Sequence, residues 1–187
     1  MGENKVTFGL KSVHYAVITD DGQKLTYGTP AALPGATELS LDASGDAIEF
    51  FADDVKYFNA DNNQGYTGKL TVAKLTEAFE KDVLGIDDTS GVSTENVKAK
   101  IKRIALMFEF DGDQKATRHL LFNVSLSRPG EGSKSKEDKI DTNTQELEFT
   151  AAPNPYTGDV KTKTNSKTTA AVYDAWYSSV FSGTPAA

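Results

Sequence analysis

The chain has 187 residues, 27 acidic against 20 basic side chains, a formal net charge of −7 and no cysteine. Without cysteine there is no disulfide framework, no thiolate nucleophile and no Cys-ligated zinc or iron–sulfur centre, so the core has to hold by packing alone. The acidic balance argues against a nucleic-acid or anionic-membrane surface as the main business of the chain, because such surfaces need clustered positive charge. With 38% hydrophobic residues, a single domain over residues 1–187 can bury a sizeable core. Met1 to Lys5 are polar and no apolar run approaches the roughly 18 residues of a bilayer span, so the expectation is a soluble product made in the cytoplasm, with no membrane partner.

Val6 and Phe8, then Val13, Tyr15 and Val17, alternate on either side of Gly9 and predict a first strand bent at the glycine. Asp20-Asp21-Gly22 turns it into a short partner, Lys24 to Tyr27. Beyond a loop from Pro30 to Gly35, Thr37, Leu39 and Leu41 alternate with Glu38, Ser40 and Asp42, and a further strand sets Ile48 and Phe50 against Glu49 and Phe51. From 51 to 67 the alternation gives way to Asp53, Asp54, Asn59, Asp61, Asn62, Asn63 and Gly65, with Phe51, Tyr57, Phe58 and Tyr66 among them. This predicts a long irregular loop, a kind of segment that is often functional. Gly68 to Leu75 resumes as a strand. Thr76 as N-cap, Glu77 in the first turn and Gly85 as a stop then frame one short helix, with Phe79 and Val83 on one face. Asp87 to Asn96 reads as turn-rich, and Lys98, Lys100 and Lys102 alternate with Val97, Ala99 and Ile101 as a solvated strand edge.

The strongest pattern lies between Ile104 and Leu126. Ile104, Leu106, Phe108 and Phe110, then Leu120, Phe122, Val124 and Leu126 after Asp111-Gly112-Asp113, predict a long hairpin with these eight side chains on one face. The other face, with Ala105, Met107, Leu121, Asn123 and Ser125, is too apolar to stand in water and calls for a helix or a second subunit over it. The stretch from Gly130 to Lys139 has no large apolar residue and predicts a second long loop. Leu147 and Phe149 mark another strand, with Val160 to Thr164 as its expected partner. Val172, Trp176 and Val180, beside Tyr173, Tyr177 and Phe181, predict a C-terminal helix from about Thr169 to Phe181. The fold class is mainly β with one short and one C-terminal helix, an α+β chain.

Catalytic and metal signatures are missing from the sequence. His14 and His119 both lie in strand patterns with no metal-ligand spacing around them. Asn59 to Gly65 superficially suggests a calcium loop, but its glycine is one place late and Leu70 stands where the EF-hand needs glutamate. No nucleophile elbow, phosphate loop or dinucleotide fingerprint is present. We therefore expect a non-enzyme without cofactor or metal.

Several stretches together resemble the major tail proteins, or tail tube proteins, of long non-contractile-tailed bacteriophages of Gram-positive hosts. They are Asn4 to Lys11 with Val13 to Ala16, Phe50 to Asp54, Asn63 to Gly68, and Leu106 to Asp113 with Arg118-His119. Asn123, Ser127-Arg128-Pro129 and Val172 to Tyr177 extend the resemblance to the end of the chain. The resemblance implies a β-sandwich or barrel-like protomer flanked by a helix, assembling into hexameric rings whose stack forms the tube through which DNA leaves the capsid. It implies a virion component whose partners are further copies of itself, the tape measure protein and other tail proteins, with genomic DNA passing through the lumen unbound.

On this reading the loops at 51–67 and 130–139 bridge subunits or rings, which makes Phe51, Asp53, Asp54, Tyr57, Phe58, Tyr66, Lys134 and Lys136 the candidate interface residues. Glu38, Ser40, Glu146 and Glu148, on the polar sides of strands with apolar backs, are the candidate lumen residues. The alternative from another class is a β-sandwich adhesion module that holds a cell-surface carbohydrate on Phe51, Tyr57, Phe58 and Tyr66.

Overall fold

The structure is a computed structural model and describes residues 2–45, 48–60, 62–135 and 142–183. Its centre is the predicted hairpin, Ile104–Gly112 and Thr117–Leu126. In chain order the strands are β1 (Thr7–Asp20), β2 (Leu25–Tyr27), β3 (Ala31–Ala32), β4 (Ala36–Ser44), β5 (Ile48–Ala52), β6 (Val55–Ala60) and β7 (Gly65–Val72). They continue as β8 (Asp87–Thr89), β9 (Val92–Thr94), β10 (Ile104–Gly112), β11 (Thr117–Leu126), β12 (Gln145–Ala151) and β13 (Lys161–Lys163). One nine-stranded antiparallel sheet runs β2-β1-β10-β11-β12-β7-β4, with β3 on β1 and β13 on β11. The sheet rolls until β4 comes back beside β1, but no ladder joins them, so it is not closed.

The roll encloses the main core. Val13 and Tyr15 of β1, Leu70 and Val72 of β7, Leu147 and Phe149 of β12, and Ile104, Leu106 and Phe108 of β10 all turn inward. A short helix, α1 (Glu77–Phe79), runs into a π-helical turn (Glu80–Leu84) and plugs this core with Phe79, Val83 and Leu84. Its start is capped as the sequence predicts, Phe79 N donating to Thr76 Oγ1 over 3.2 Å. Leu70, Val72, Phe79, Val83, Ile104, Leu106 and Phe108 are at most 1% exposed, and each buried side chain of this size contributes roughly 1.5–3 kcal/mol.

The hairpin's second face is also covered. Ala105 and Met107 of β10, Leu120 and Phe122 of β11, Ala16 of β1 and Trp176 form a smaller cluster, with Tyr177 and Phe181 packed against it. This corrects the expected facing of β11. Ile104 pairs with Val124 but Leu106 pairs with Leu121, so β11 carries an extra residue between them. A bulge of this kind reverses which side chains face the core. Val124 and Leu126 therefore stay on the predicted side, whereas Leu120 and Phe122 move to the outer cluster and Leu121 takes the inner place.

Other expectations change for local reasons. The 51–67 loop is instead a hairpin, β5–β6, followed by the start of β7. Residues 97–102 form no strand, because their backbone is engaged elsewhere. Lys102 N donates to Val83 O, and Arg128 Nη2 donates to both Leu84 O and Ala99 O, tying the segment to the end of the π-helical turn. The turn-rich 87–96 stretch contains the small hairpin β8–β9. β13 pairs with β11 and not with β12, since β12 already has β7 and β11 on its two edges and leaves the first half of β11 free. The C-terminal helix, α2 (Ala170–Asp174), stops early. Trp176 N donates to Tyr173 O and Ser178 N to Ala175 O, tight i→i−3 bonds that curl the chain so that the indole reaches the outer cluster.

A buried charge network locks this C-terminal segment down. Arg118 Nε lies 3.0 Å from Glu109 Oε2, Ser12 Oγ donates to Glu109 Oε1 and Tyr177 OH donates to Glu109 Oε2. The Arg118 guanidinium lies 3.8 Å from the Tyr173 ring centroid and bonds the Tyr173 carbonyl. Arg118→Ala leaves the Glu109 carboxylate buried without its cation, so unfolding in urea followed by Trp176 fluorescence should show a loss of about 3 kcal/mol or more. Removing Glu109 and Arg118 together should cost less than removing Arg118 alone.

His119 offers a pH test of the same region. It stacks on Phe108 with ring centroids 5.0 Å apart, and burial, helped by Lys161 and Lys163, pushes its pKa down to about 4 from 6.5. The unfolded chain takes up a proton near pH 6.5 that the folded chain refuses until about 4. Stability is therefore full above pH 6.5 and falls as the pH drops toward 4. The carboxylate of Asp20, hydrogen-bonded by Tyr156 and Arg103, is held at about 2 and titrates below this window. Melting temperatures of His119→Phe should be flatter than wild type between those two pH values.

Candidate functional site

The four candidate lumen residues come together on one surface. In β4, β7 and β12 the inward positions are apolar and the outward ones polar, and the strand registers align the polar positions in rows across the sheet. Glu38 of β4 faces Thr71 of β7, which faces Glu146 of β12. In the next row Ser40, Lys69 and Glu148 line up, and in the third Asp42, Thr67 and Thr150. The face continues onto β11, where Ser125 pairs with Thr150.

These outward positions hold four carboxylates, one ammonium and only hydroxyls besides, with no apolar side chain among them. Lys69 Nζ lies 2.9 Å from Glu146 and 3.1 Å from Glu148, and the two carboxylates raise its pKa above the ordinary lysine value. Exposed ion pairs of this kind add little stability. Their effect is on the surface potential, which stays acidic because the one cation is already claimed.

Gly68 governs the packing beneath this face. A Cβ at Gly68 would come within 2.3 Å of Ser40 O and 2.6 Å of the Phe149 ring, so glycine lets β4, β7 and the Phe149 ring pack closely beneath the polar layer. Sequence reading found Glu38, Ser40, Glu146 and Glu148 but missed Asp42, Thr67, Lys69, Thr71, Thr150 and Ser125. The alternation of each strand was visible; the register that sets β7 between β4 and β12 was not.

Five of the candidate interface residues lie together on the β5–β6 hairpin, which forms a two-stranded arm of its own beyond the main sheet. The arm continues the β4–β7 ladder, whose last pair is Ser44 with Gly65. Asp53 and Asp54 make its two-residue turn, both at positive φ, 51° and 60°. Aspartate tolerates that conformation better than most residues, and such turns match the twist of a hairpin. Phe51, Val55, Tyr57 and Phe58 are 60%, 60%, 75% and 53% exposed. Lys56 pairs with Glu49 along the arm.

Tyr66 sits apart in β7, half-buried, with Lys161 Nζ 4.1 Å from its ring centroid. The four aromatics considered for a sugar therefore do not form one platform. Lys134 is exposed in the irregular stretch after β11, and Lys136 lies outside the described residues. Among the described residues no three His, Asp or Glu side chains converge on a metal-sized site, and no helix is long and apolar enough to cross a membrane.

The rolled, mainly β sheet with its short helices matches chains of solved tube-containing assemblies over most of its length. The fold is of the tail-tube type. The chain is similar to one in the sheath–tube complex, in the extended state, of the PVC extracellular contractile injection system, with a TM-score of 0.50, 14% identity and coverage of 86% of this chain and 93% of that one. It is similar in the same measure to a chain of the anti-feeding prophage cap, the cap that terminates the tube, with a TM-score of 0.50, 13% identity and coverage of 86% and 93%. Neither a protein-family model nor a curated protein matches the chain by sequence.

Among the described side chains of the arm, none belongs to either buried cluster. Replacing residues 48–60 by a two-residue turn should leave the melting temperature of this tail-tube-type fold within a few degrees of wild type. Gly45→Val should instead perturb the junction, because a Cβ there would lie 1.6 Å from Asn62 O at a φ of +136°. Circular dichroism melts of the two variants check both expectations.

Proposed function

We propose that this chain is the structural subunit of a tail tube, assembling with copies of itself into stacked hexameric rings that conduct DNA from the capsid to the host. The observation that carries this reading is the outward face of β4, β7 and β12. Four carboxylates and a set of hydroxyls, with their one lysine held by two glutamates, form a wall that hydrates well and repels phosphate. A DNA conduit needs such a wall, because neutralised phosphates release counterions and hold the polymer in place. The tube-type fold supports the reading, and the sequence resemblance narrows it to long non-contractile tails of phages of Gram-positive hosts.

On this reading the Glu38, Ser40, Glu146 and Glu148 face lines the lumen, and the arm with Phe51, Asp53, Asp54, Tyr57 and Phe58 reaches between copies. The tape measure protein fills the lumen before the DNA does, and other tail proteins close its two ends. The protein works as a wall and not as an enzyme.

Electron microscopy of concentrated protein should show rings or tubes with sixfold symmetry; dispersed monomers that bind glycans would favour the adhesion reading. Tubes carrying Glu38→Gln, Glu146→Gln and Glu148→Gln should eject DNA more slowly than wild type. Tubes with lysine at the same three positions that eject at the wild-type rate would overturn the lumen assignment.

A further inference from the structure

We infer that the β5–β6 arm of one copy docks on an apolar patch formed by Val6 and Phe8 of a second copy. The inference rests on the self-assembly just proposed and names the surface that receives the arm.

The patch is tied down by hydrogen bonds to the β10–β11 connection. Asn4 Nδ2 donates to Lys115 O over 2.6 Å and to Thr117 Oγ1 over 3.3 Å, while its Oδ1 accepts from the backbone N–H groups of Gln114 and Lys115. Lys5 N donates to Asp113 Oδ1 over 2.8 Å. A Cβ on Gly112 would lie 2.2 Å from Asn4 Nδ2, so the glycine makes room for this clamp. Yet Val6 and Phe8, fixed by so many bonds, stand 58% and 57% exposed. An immobilised backbone that displays two apolar side chains has already met much of the ordering cost of binding.

The arm has the opposite need. A two-stranded hairpin alone is marginal in water, and this one exposes Phe51, Val55, Tyr57 and Phe58. At five or six residues per strand it reaches roughly 20 Å, far enough to cross to a neighbour.

Strand direction brings the two together. Successive antiparallel pairings from β4 through β7, β12, β11 and β10 to β1 set β4 and β1 antiparallel, and the arm and the start of β1 lie at the same end of the sheet. Among the described residues, the outer edge of β4 and the edge of β1 along Thr7–Lys11 carry no strand. A second copy whose β4 lies along that β1 edge is in the antiparallel sense. Its arm, which continues β4 beyond Ser44, then runs beside Val6 and Phe8. Two free edges and two uncovered apolar groups are matched in one arrangement.

The absence of cysteine makes the test direct. Phe8→Cys and Tyr57→Cys, each made in a separate batch and then mixed at assembly concentration, should be joined by a short bismaleimide at least tenfold more efficiently than Phe8→Cys with Val92→Cys, a control that is also well exposed. Asp111→Cys, on the residue paired with Phe8, should join Tyr57→Cys with the same preference, and adding Val6→Ser and Phe8→Ser to the Asp111→Cys copy should keep its melting temperature and abolish that preference. Equal crosslinking of the Tyr57 and Val92 variants would overturn the docking. Rings or tubes without selective crosslinking leave the tube reading standing and remove this one; selective crosslinking without rings supports the docking and counts against the tube.

Discussion

β10 is buried on both of its faces, and that constraint dictates the rest of the chain. Ile104, Leu106 and Phe108 point one way and Ala105 and Met107 the other, all at most 1% exposed. A strand with two apolar faces needs a layer on each side. The inner layer is made by rolling the sheet on itself and plugging it with Phe79, Val83 and Leu84. The outer layer is made by the C-terminal segment, where Trp176 fills the cluster and the Glu109–Arg118 pair fixes the segment in place. Away from β10, the strands β4, β7 and β12 have only one face to bury. Their second face is free to be polar, and it is this freed surface that the functional reading uses.

Much of this was legible in the sequence, and the misses share a cause. Alternation located β1, β4, β7, β10, β11 and β12, and Thr76, Glu77 and Gly85 framed the short helix, because those signals are local. The facing of Leu120, Leu121 and Phe122 was not legible. A bulge opposite Ala105 changes it, and nothing in the apolar pattern of β11 announces an extra residue. The early end of α2 was hidden for a similar reason. The i, i+4 spacing of Val172 and Trp176 is equally compatible with a straight helix and with one turn that curls to bury the indole, and only the pocket beneath Trp176 decides between them.

The candidate site divides in the same way. The polar alternation of Glu38 with Ser40 and of Glu146 with Glu148 was visible strand by strand. What joins them is β7, which the registers place between β4 and β12, with Lys69 between the glutamates of β12 and Ser40 of β4. The strand from Ile48 was expected, but the rest of the arm was misread as a loop because its signals are those of both. Asp53-Asp54 is an unusual choice for a tight hairpin turn, and a strand exposed on both sides has no buried face to alternate against. Tyr57 and Phe58, adjacent in sequence and both exposed, broke the period that would have marked β6.

Lys69 offsets local repulsion within the acidic face of β4, β7 and β12. Glu146 and Glu148 are two residues apart on one face, where like charges oppose each other and Glu38 adds a third from across β7. A sheet with only carboxylates there would carry that repulsion in the isolated chain. One lysine, shared by the two glutamates of β12 and placed in the middle strand, relieves that repulsion locally. Because both of its strong contacts are to carboxylates of the same face, it offers little to a phosphate approaching from outside. Beyond about 8–10 Å salt screens the face in any case, so its charge acts at contact, through the hydroxyl and carboxylate layer itself. The same arrangement thus eases repulsion within the face and leaves its lysine engaged with carboxylates.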